Sequence, residues 1–151
     1  MIEIIKGDLL TTKADVICHQ VNCIGIMGGG VALQIKNKYP DVYNEYKEYC
    51  ENCKNPSRLL GCVQMVNILE GTENKQYVAN IFGQLDCTNS CDINYTALRI
   101  ALQKLKHICP TRFTFAFPYN IGCGIGGGNW DIVYKMLDEV FENRKMLLYK
   151  L

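Results

Sequence analysis

The chain has 151 residues, 48% hydrophobic and 21% charged; this balance suits one globular domain spanning 1–151 and excludes a disordered or low-complexity chain. Sixteen Lys and Arg against fifteen Asp and Glu leave a formal charge of +1, which excludes a broad basic surface for duplex nucleic acid but not a local cationic pocket. Nine cysteines, an odd count scattered through apolar runs, read as reduced thiols rather than a disulfide framework, so a cytoplasmic location is expected; a monomer is expected as well. The start, Met1 to Asp8, is too short and polar for a secretory signal. No apolar run approaches the roughly 20 residues that span a bilayer.

In chain order, Ile2 to Ile5 reads as a strand closed by the turn Lys6-Gly7-Asp8, and Asp15 to Val21 as a second, largely buried strand. Met27-Gly28-Gly29-Gly30 opens a helix carrying Val31, Ala32 and Ile35, which Pro40 ends. Asp41 reads as the N-cap of the next helix, with Val42, Tyr43, Tyr46 and Cys50. Strands follow near Cys62 to Leu69 and Gln76 to Phe82. Asp92 is the expected cap of a helix whose Tyr95, Leu98, Leu102 and Leu105 form one apolar stripe ending at Cys109-Pro110. Arg112 to Ala116 reads as a strand, Asn129 as the cap of a helix with Trp130, Val133, Leu137, Val140 and Phe141, and Met146 to Tyr149 as the last strand. Short apolar runs alternating with amphipathic ones predict an α/β domain, helices packed on a sheet.

Two strand-to-helix loops hold the functional signal: Asn22 to Gly30, and Asn120 to Gly128, each with three consecutive glycines before a helix. Glycine lets backbone approach a ligand without a Cβ, and a helix amino terminus offers unpaired N–H donors and partial positive charge. Two such loops can grip a diphosphate from both sides. Gly122, Gly124 and Gly127 also satisfy G-x-G-x-x-G. A dinucleotide site of that kind needs a further strand and an acidic residue about 20 positions on, and position 147 is leucine.

Cys50-Glu51-Asn52-Cys53 has no second pair or histidine at zinc spacing, although Cys87 and Cys91 flank a loop; no metal site is expected. Cys123, near a helix start, is a candidate for a lowered thiol pKa.

Several segments in order resemble the macrodomain family: Lys6-Gly7-Asp8-Leu9-Leu10, Asp15 to Cys23, Met27 to Ala32, Tyr77 to Gln84, Pro118 to Gly124 and Leu148 to Leu151. The resemblance is to the subgroup that includes the human terminal ADP-ribose protein glycohydrolase and the yeast ADP-ribose 1''-phosphate phosphatase. It implies a three-layer α/β/α sandwich with a central mixed sheet, and ADP-ribose or a conjugate of it across the carboxyl ends of the strands, with no cofactor. Carried over, Asp8, with Leu9 beside it, accepts from the adenine amino group, although Asp8 alone also reads as a turn-stabilising residue. Gly28, Gly29, Gly30 and Val31 lie along the diphosphate and distal ribose, with Asn22 near that ribose. Asn120, Ile121, Gly122, Cys123, Gly124, Ile125 and Gly126 cover the diphosphate from the other side. Tyr149 matches an adenine-stacking position, and also reads as a half-buried strand aromatic.

The glycohydrolase-type members use a lysine after the fourth strand and an aspartate after the Gly-Cys-Gly. The matching positions here are Gly83-Gln84 and Gly126, neither a nucleophile nor a general base. The catalytic candidates are therefore Asn22, to orient the distal ribose or a water, and His19 as a base, although a histidine in an apolar strand also reads as a core residue. Three functions remain: a hydrolase of ester-linked conjugates such as O-acetyl-ADP-ribose or ADP-ribosylated glutamate, a non-catalytic ADP-ribose reader, and a sensor of another nucleotide diphosphate.

Overall fold

Strand and helix alternate along the computed structural model, which describes residues 2–86, 93–123 and 127–151. The elements are β1 (Ile2–Lys6), β2 (Val16–Asn22), α1 (Gly30–Lys38), α2 (Pro40–Glu51), β3 (Val63–Asn67), β4 (Tyr77–Gln84), α3 (Tyr95–Ile108), β5 (Phe115–Pro118), α4 (Trp130–Val140) and β6 (Met146–Lys150). The sheet order is β1-β6-β5-β2-β4-β3. Every neighbouring pair is parallel except β3–β4, so the sheet is mixed.

Side-chain alternation along the strands assigns the layers. Val16 and Cys18 of β2 join Phe115 and Phe117 of β5 in a cluster with Leu98, Leu102 and Leu105 of α3 and Val133 and Leu137 of α4. Ile17 and Val21 face the other way and join Val78, Phe82 and Leu147 with Ile35, Val42 and Tyr46 of α1 and α2. The result is an α/β/α sandwich with an apolar cluster on each face of the sheet. Each buried leucine or phenylalanine contributes roughly 1.5–3 kcal/mol. Arg144 is buried beneath the α3 face. Its guanidinium donates to the carbonyls of Lys106 (3.1 Å), Cys109 (3.4 Å) and Pro110, the end of α3 whose carbonyls lack helical partners.

The structure differs from the sequence reading at three places. Pro40 both stops α1 and occupies the first turn of α2, whose N-cap is Tyr39 without a side-chain bond; the fixed φ of proline suits that position. Asp41 sits inside the first turn, where a carboxylate complements the helix dipole, and is not the cap. Asp92 lies outside the described residues, and the cap of α3 is Asn94, whose side chain accepts from Ala97 N at 2.9 Å. The fifth strand begins at Phe115 rather than Arg112. A turn through Phe113 N→Pro110 O (3.0 Å) occupies its expected start, and Asp15 Oδ2 anchors Thr114 through its N–H (2.7 Å) and hydroxyl (3.1 Å).

Replacing Asn94 with alanine removes the α3 cap and is expected to cost about 1 kcal/mol. Thermal unfolding should then show a fall in midpoint of about 2–4 °C.

Candidate ligand cavity

β2 and β5 are hydrogen-bonded neighbours, yet only Val16↔Phe115 and Ile17↔Ala116 are in register. Beyond them the strands part. From its carboxyl end β2 leads to α1 on one face, whereas β5 leads to α4 on the other. This is the switch point at which open α/β sheets place ligands. A cavity of about 510 Å³ fills the gap, with His19, Gln20, Asn22 and Gln84 at its base. Ile26 to Ala32 of the first glycine loop form one wall and Pro118 to Gly122 the other, Met27 excepted.

The first loop is held by Asn22. Its Oδ1 accepts from Ile24 N (3.1 Å) and Ile26 N (3.3 Å), and its Nδ2 donates to Ile26 O (2.8 Å). From α2, the buried Tyr46 hydroxyl lies 2.7 Å from both Asn22 O and Asn22 Oδ1. Burial pushes the Tyr46 phenol pKa up, so this hydroxyl stays a donor. The Asn22 carboxamide is thus engaged in fixing the backbone of the loop.

The two helix starts differ. At α4 the Asn129 side chain accepts from Asp131 N at 2.9 Å, and Asp131 adds its own negative charge in the first turn. The amino terminus of α1 has Gly29 as N-cap and no side-chain cap bond. Gly28, Gly29, Gly30 and Val31, at this helix start, form part of the cavity wall. An anion therefore fits α1, whereas the start of α4 already has one N–H capped and a carboxylate of its own.

The second loop is shaped by contact. Asn120 (φ 67°) and Gly122 (φ 73°) are left-handed, a conformation asparagine and glycine tolerate. A Cβ on Gly122 would meet Ile93 Cδ1 at 2.6 Å, and one on Gly128 would meet Ile93 Cγ2 at 2.8 Å and Gly122 O at 2.9 Å. These glycines let the loop close over Ile93. Gly124, Ile125 and Gly126 lie outside the described residues.

With this geometry, the Macro domain model matches residues 18–137. The chain belongs to the Macro domain family. Over 42 residues it is 43% identical to the DNA ADP-ribosyl glycohydrolase of Mycobacterium tuberculosis, a stretch that is 28% of this chain and 12% of that protein. It is 31% identical over 162 residues to the ADP-ribose 1''-phosphate phosphatase of Candida albicans, covering 99% of each. The solved macrodomain of Mycobacterium tuberculosis DarG superposes with a TM-score of 0.83 at 25% identity, covering 100% of this chain and 98% of that one.

Within this macrodomain, His19 is 1% exposed, and its Nε2 lies 2.6 Å from Asn80 Oδ1. Burial outweighs that bond and lowers its pKa to about 4, so the ring is neutral near pH 7 and a weak base. Cys123 is also corrected: burial raises its thiol pKa, and Sγ donates to Ile121 O at 3.3 Å. Asp8 accepts from Leu10 N at 2.9 Å and caps the 3-10 turn Leu9–Thr11, while the Leu9 side chain is in the core. The Tyr149 hydroxyl donates to Thr12 Oγ1 at 2.9 Å. Asp8, Leu9 and Tyr149 stand near the carboxyl ends of β1 and β6, beyond the residues that line the cavity. Gln84, at the position that matches the family's lysine, and Gln20, which was not among the candidate site residues, share a bond of 3.3 Å at its base. The signal for Gln20 is position alone, at the carboxyl end of a strand parallel to and beside that of Gln84. No cluster of three metal-ligating side chains occurs among the described residues.

Tyr46→Phe should weaken binding of a diphosphate ligand several-fold, read by calorimetric titration, because loop N–H groups lose their anchor. His19 supplies a pH test. Its folded pKa lies below the unfolded 6.5, so its contribution is complete above 6.5 and is lost as pH falls toward 4. The stability advantage of the native chain over His19→Gln should shrink by about 3 kcal/mol across that window, measured by denaturant unfolding.

Proposed function

We propose that this macrodomain binds ADP-ribose in the cavity and hydrolyses an ester-linked conjugate at the distal ribose, of the O-acetyl-ADP-ribose or ADP-ribosyl-glutamate type. The observation that carries the reading is the uncapped start of α1 opening on a cavity of about 510 Å³ at the switch point, a size suited to a ligand of this class. The diphosphate lies against Gly28, Gly29 and Gly30, and the two riboses extend to either side. Both named relatives, by their names, act on ADP-ribose derivatives, which supports the ligand class and a hydrolytic step.

An acyl ester on ribose is labile, so hydrolysis asks for a positioned water and stabilisation of developing negative charge. Loop N–H groups supply the second, and tight holding of the ligand supplies much of the first. The second reading is a reader without turnover. It is favoured by one observation: no Asp, Glu, Lys or Arg occurs among the described residues lining the cavity. We place the protein in the cytoplasm, where the seven described cysteines, all free thiols, would stay reduced.

Gly29→Glu should abolish ADP-ribose binding in calorimetric titration, because a carboxylate replaces the diphosphate at the helix start. The fold should survive, since φ at Gly29 is −158°, open to any residue. Undiminished affinity refutes the proposed pose. Incubating the native protein with O-acetyl-ADP-ribose separates the readings, acetate release marking the hydrolase and binding without release the reader. Free ADP binding as tightly as ADP-ribose would instead identify a nucleotide-diphosphate sensor.

A further inference from the structure

A line of hydrogen-bonded polar side chains, buried at His19 and Asn80 and half-buried at Gln64, crosses three strands beside the cavity. His19 of β2 stands in register with Asn80 of β4, and Asn80 in register with Gln64 of β3. His19 Nε2 and Asn80 Oδ1 are 2.6 Å apart, Asn80 Nδ2 donates to Gln64 Oε1 at 3.0 Å, and Gln64 Nε2 donates to the Glu45 carbonyl of α2 at 3.2 Å. The last partner sets the direction of the whole line. A backbone carbonyl only accepts, so Gln64 must turn its NH₂ toward it and its oxygen toward Asn80. Asn80 must then turn its NH₂ to Gln64 and its oxygen to His19. The ring nitrogen facing that oxygen must carry the proton.

His19 is therefore the Nε2–H tautomer, and its Nδ1 bears a lone pair. That Nδ1 is buried and has no hydrogen-bond partner, and neither has Gln20 Oε1 of the adjoining residue. Both residues line the base of the cavity. An unpartnered buried acceptor is destabilising, and a donor that completes it is favoured. Phosphate oxygens cannot serve, because they are acceptors themselves. A sugar hydroxyl can.

We propose that His19 Nδ1 is the acceptor for a hydroxyl of the distal ribose, and that Asn80 and Gln64 are positioning residues that fix the imidazole tautomer from α2. This rests on the ADP-ribose reading of the cavity. It gives His19 a role in recognition that a weak base can perform, because accepting a hydrogen bond needs no proton uptake. It also explains why three neighbouring strands each carry one amide or imidazole side chain at positions in register.

The test is nitrogen NMR of imidazole-labelled protein, free and with ADP-ribose or ADP. The free protein should show Nε2 protonated and Nδ1 unprotonated. ADP-ribose should move the Nδ1 signal in the direction of hydrogen-bond acceptance, and ADP, which lacks the distal ribose, should leave it in place. Gln64→Leu, remote from the ligand, should yield a mixture of tautomers and weaken ADP-ribose roughly tenfold, a loss of about one hydrogen bond, with ADP affinity unchanged. A protonated Nδ1 in the free protein, or an Nδ1 signal unmoved in a protein saturated with ADP-ribose, overturns the proposal. If ADP-ribose fails to bind at all, the functional reading falls with the hydroxyl contact, while the tautomer of the free protein still decides whether the amide line sets the ring.

Discussion

The parting of β2 from β5 after two registered pairs is the constraint on which the site depends. Had the pairing continued, backbone N–H and C=O groups of Cys18 to Asn22 would be closed into a ladder and no cavity would form. The short β5 ends at Pro118, and its chain then turns through Asn120 and Gly122 in left-handed conformation. β2 continues along β4 as far as Gln84, with a register shift at Val21/Asn22. The opening therefore has one long wall held by the sheet and one built from turns. Because the two strands feed helices on opposite faces, both glycine loops arrive at the same gap.

Loops rich in glycine are entropically costly to order, and this fold orders them with side chains at or beyond the ends of the loops. Tyr46 and Asn22 fix the first from beneath, and Ile93 fills the space that Gly122 and Gly128 leave open in the second. The N–H groups facing the cavity are thereby preset rather than gathered on binding, which is the condition under which backbone dipoles act strongly on an anion.

Much of this was legible in the sequence. The glycine runs, the apolar strands around them and the α/β order all rest on local spacing, and the helix caps at Asn129 and the stripe of α3 follow the same logic. What was not legible depends on partners distant along the chain. Asn22 reads as a residue for the ligand, and its second role, in the network with Tyr46 24 positions on, shows only in the structure. Asn80 meets His19 across 61 positions, and nothing in the strand's alternation marks either residue as more than a polar intrusion. Asp41 failed as a cap because Pro40 already fixed the helix start one residue earlier. The contrast between α1 and α4 turned on one side chain, Asn129, whose capping role was visible but whose effect on anion binding needed the geometry.

The described cavity lining is neutral. A diphosphate there would meet no lysine or arginine among those residues, only the start of α1 and the dipoles of two loops. Partial charges of this kind are fixed in direction and do not titrate, so selectivity must come from where each N–H and each lone pair points. The same holds for chemistry. Without a side chain able to attack the ribose or take up a proton near pH 7, the lining can lower a barrier only by holding the ligand and a water in place and by stabilising charge as it develops. Such a site accelerates bonds that are already labile, and ribose esters are of that kind, whereas a stable glycosidic bond asks for a nucleophile or acid that these residues do not supply.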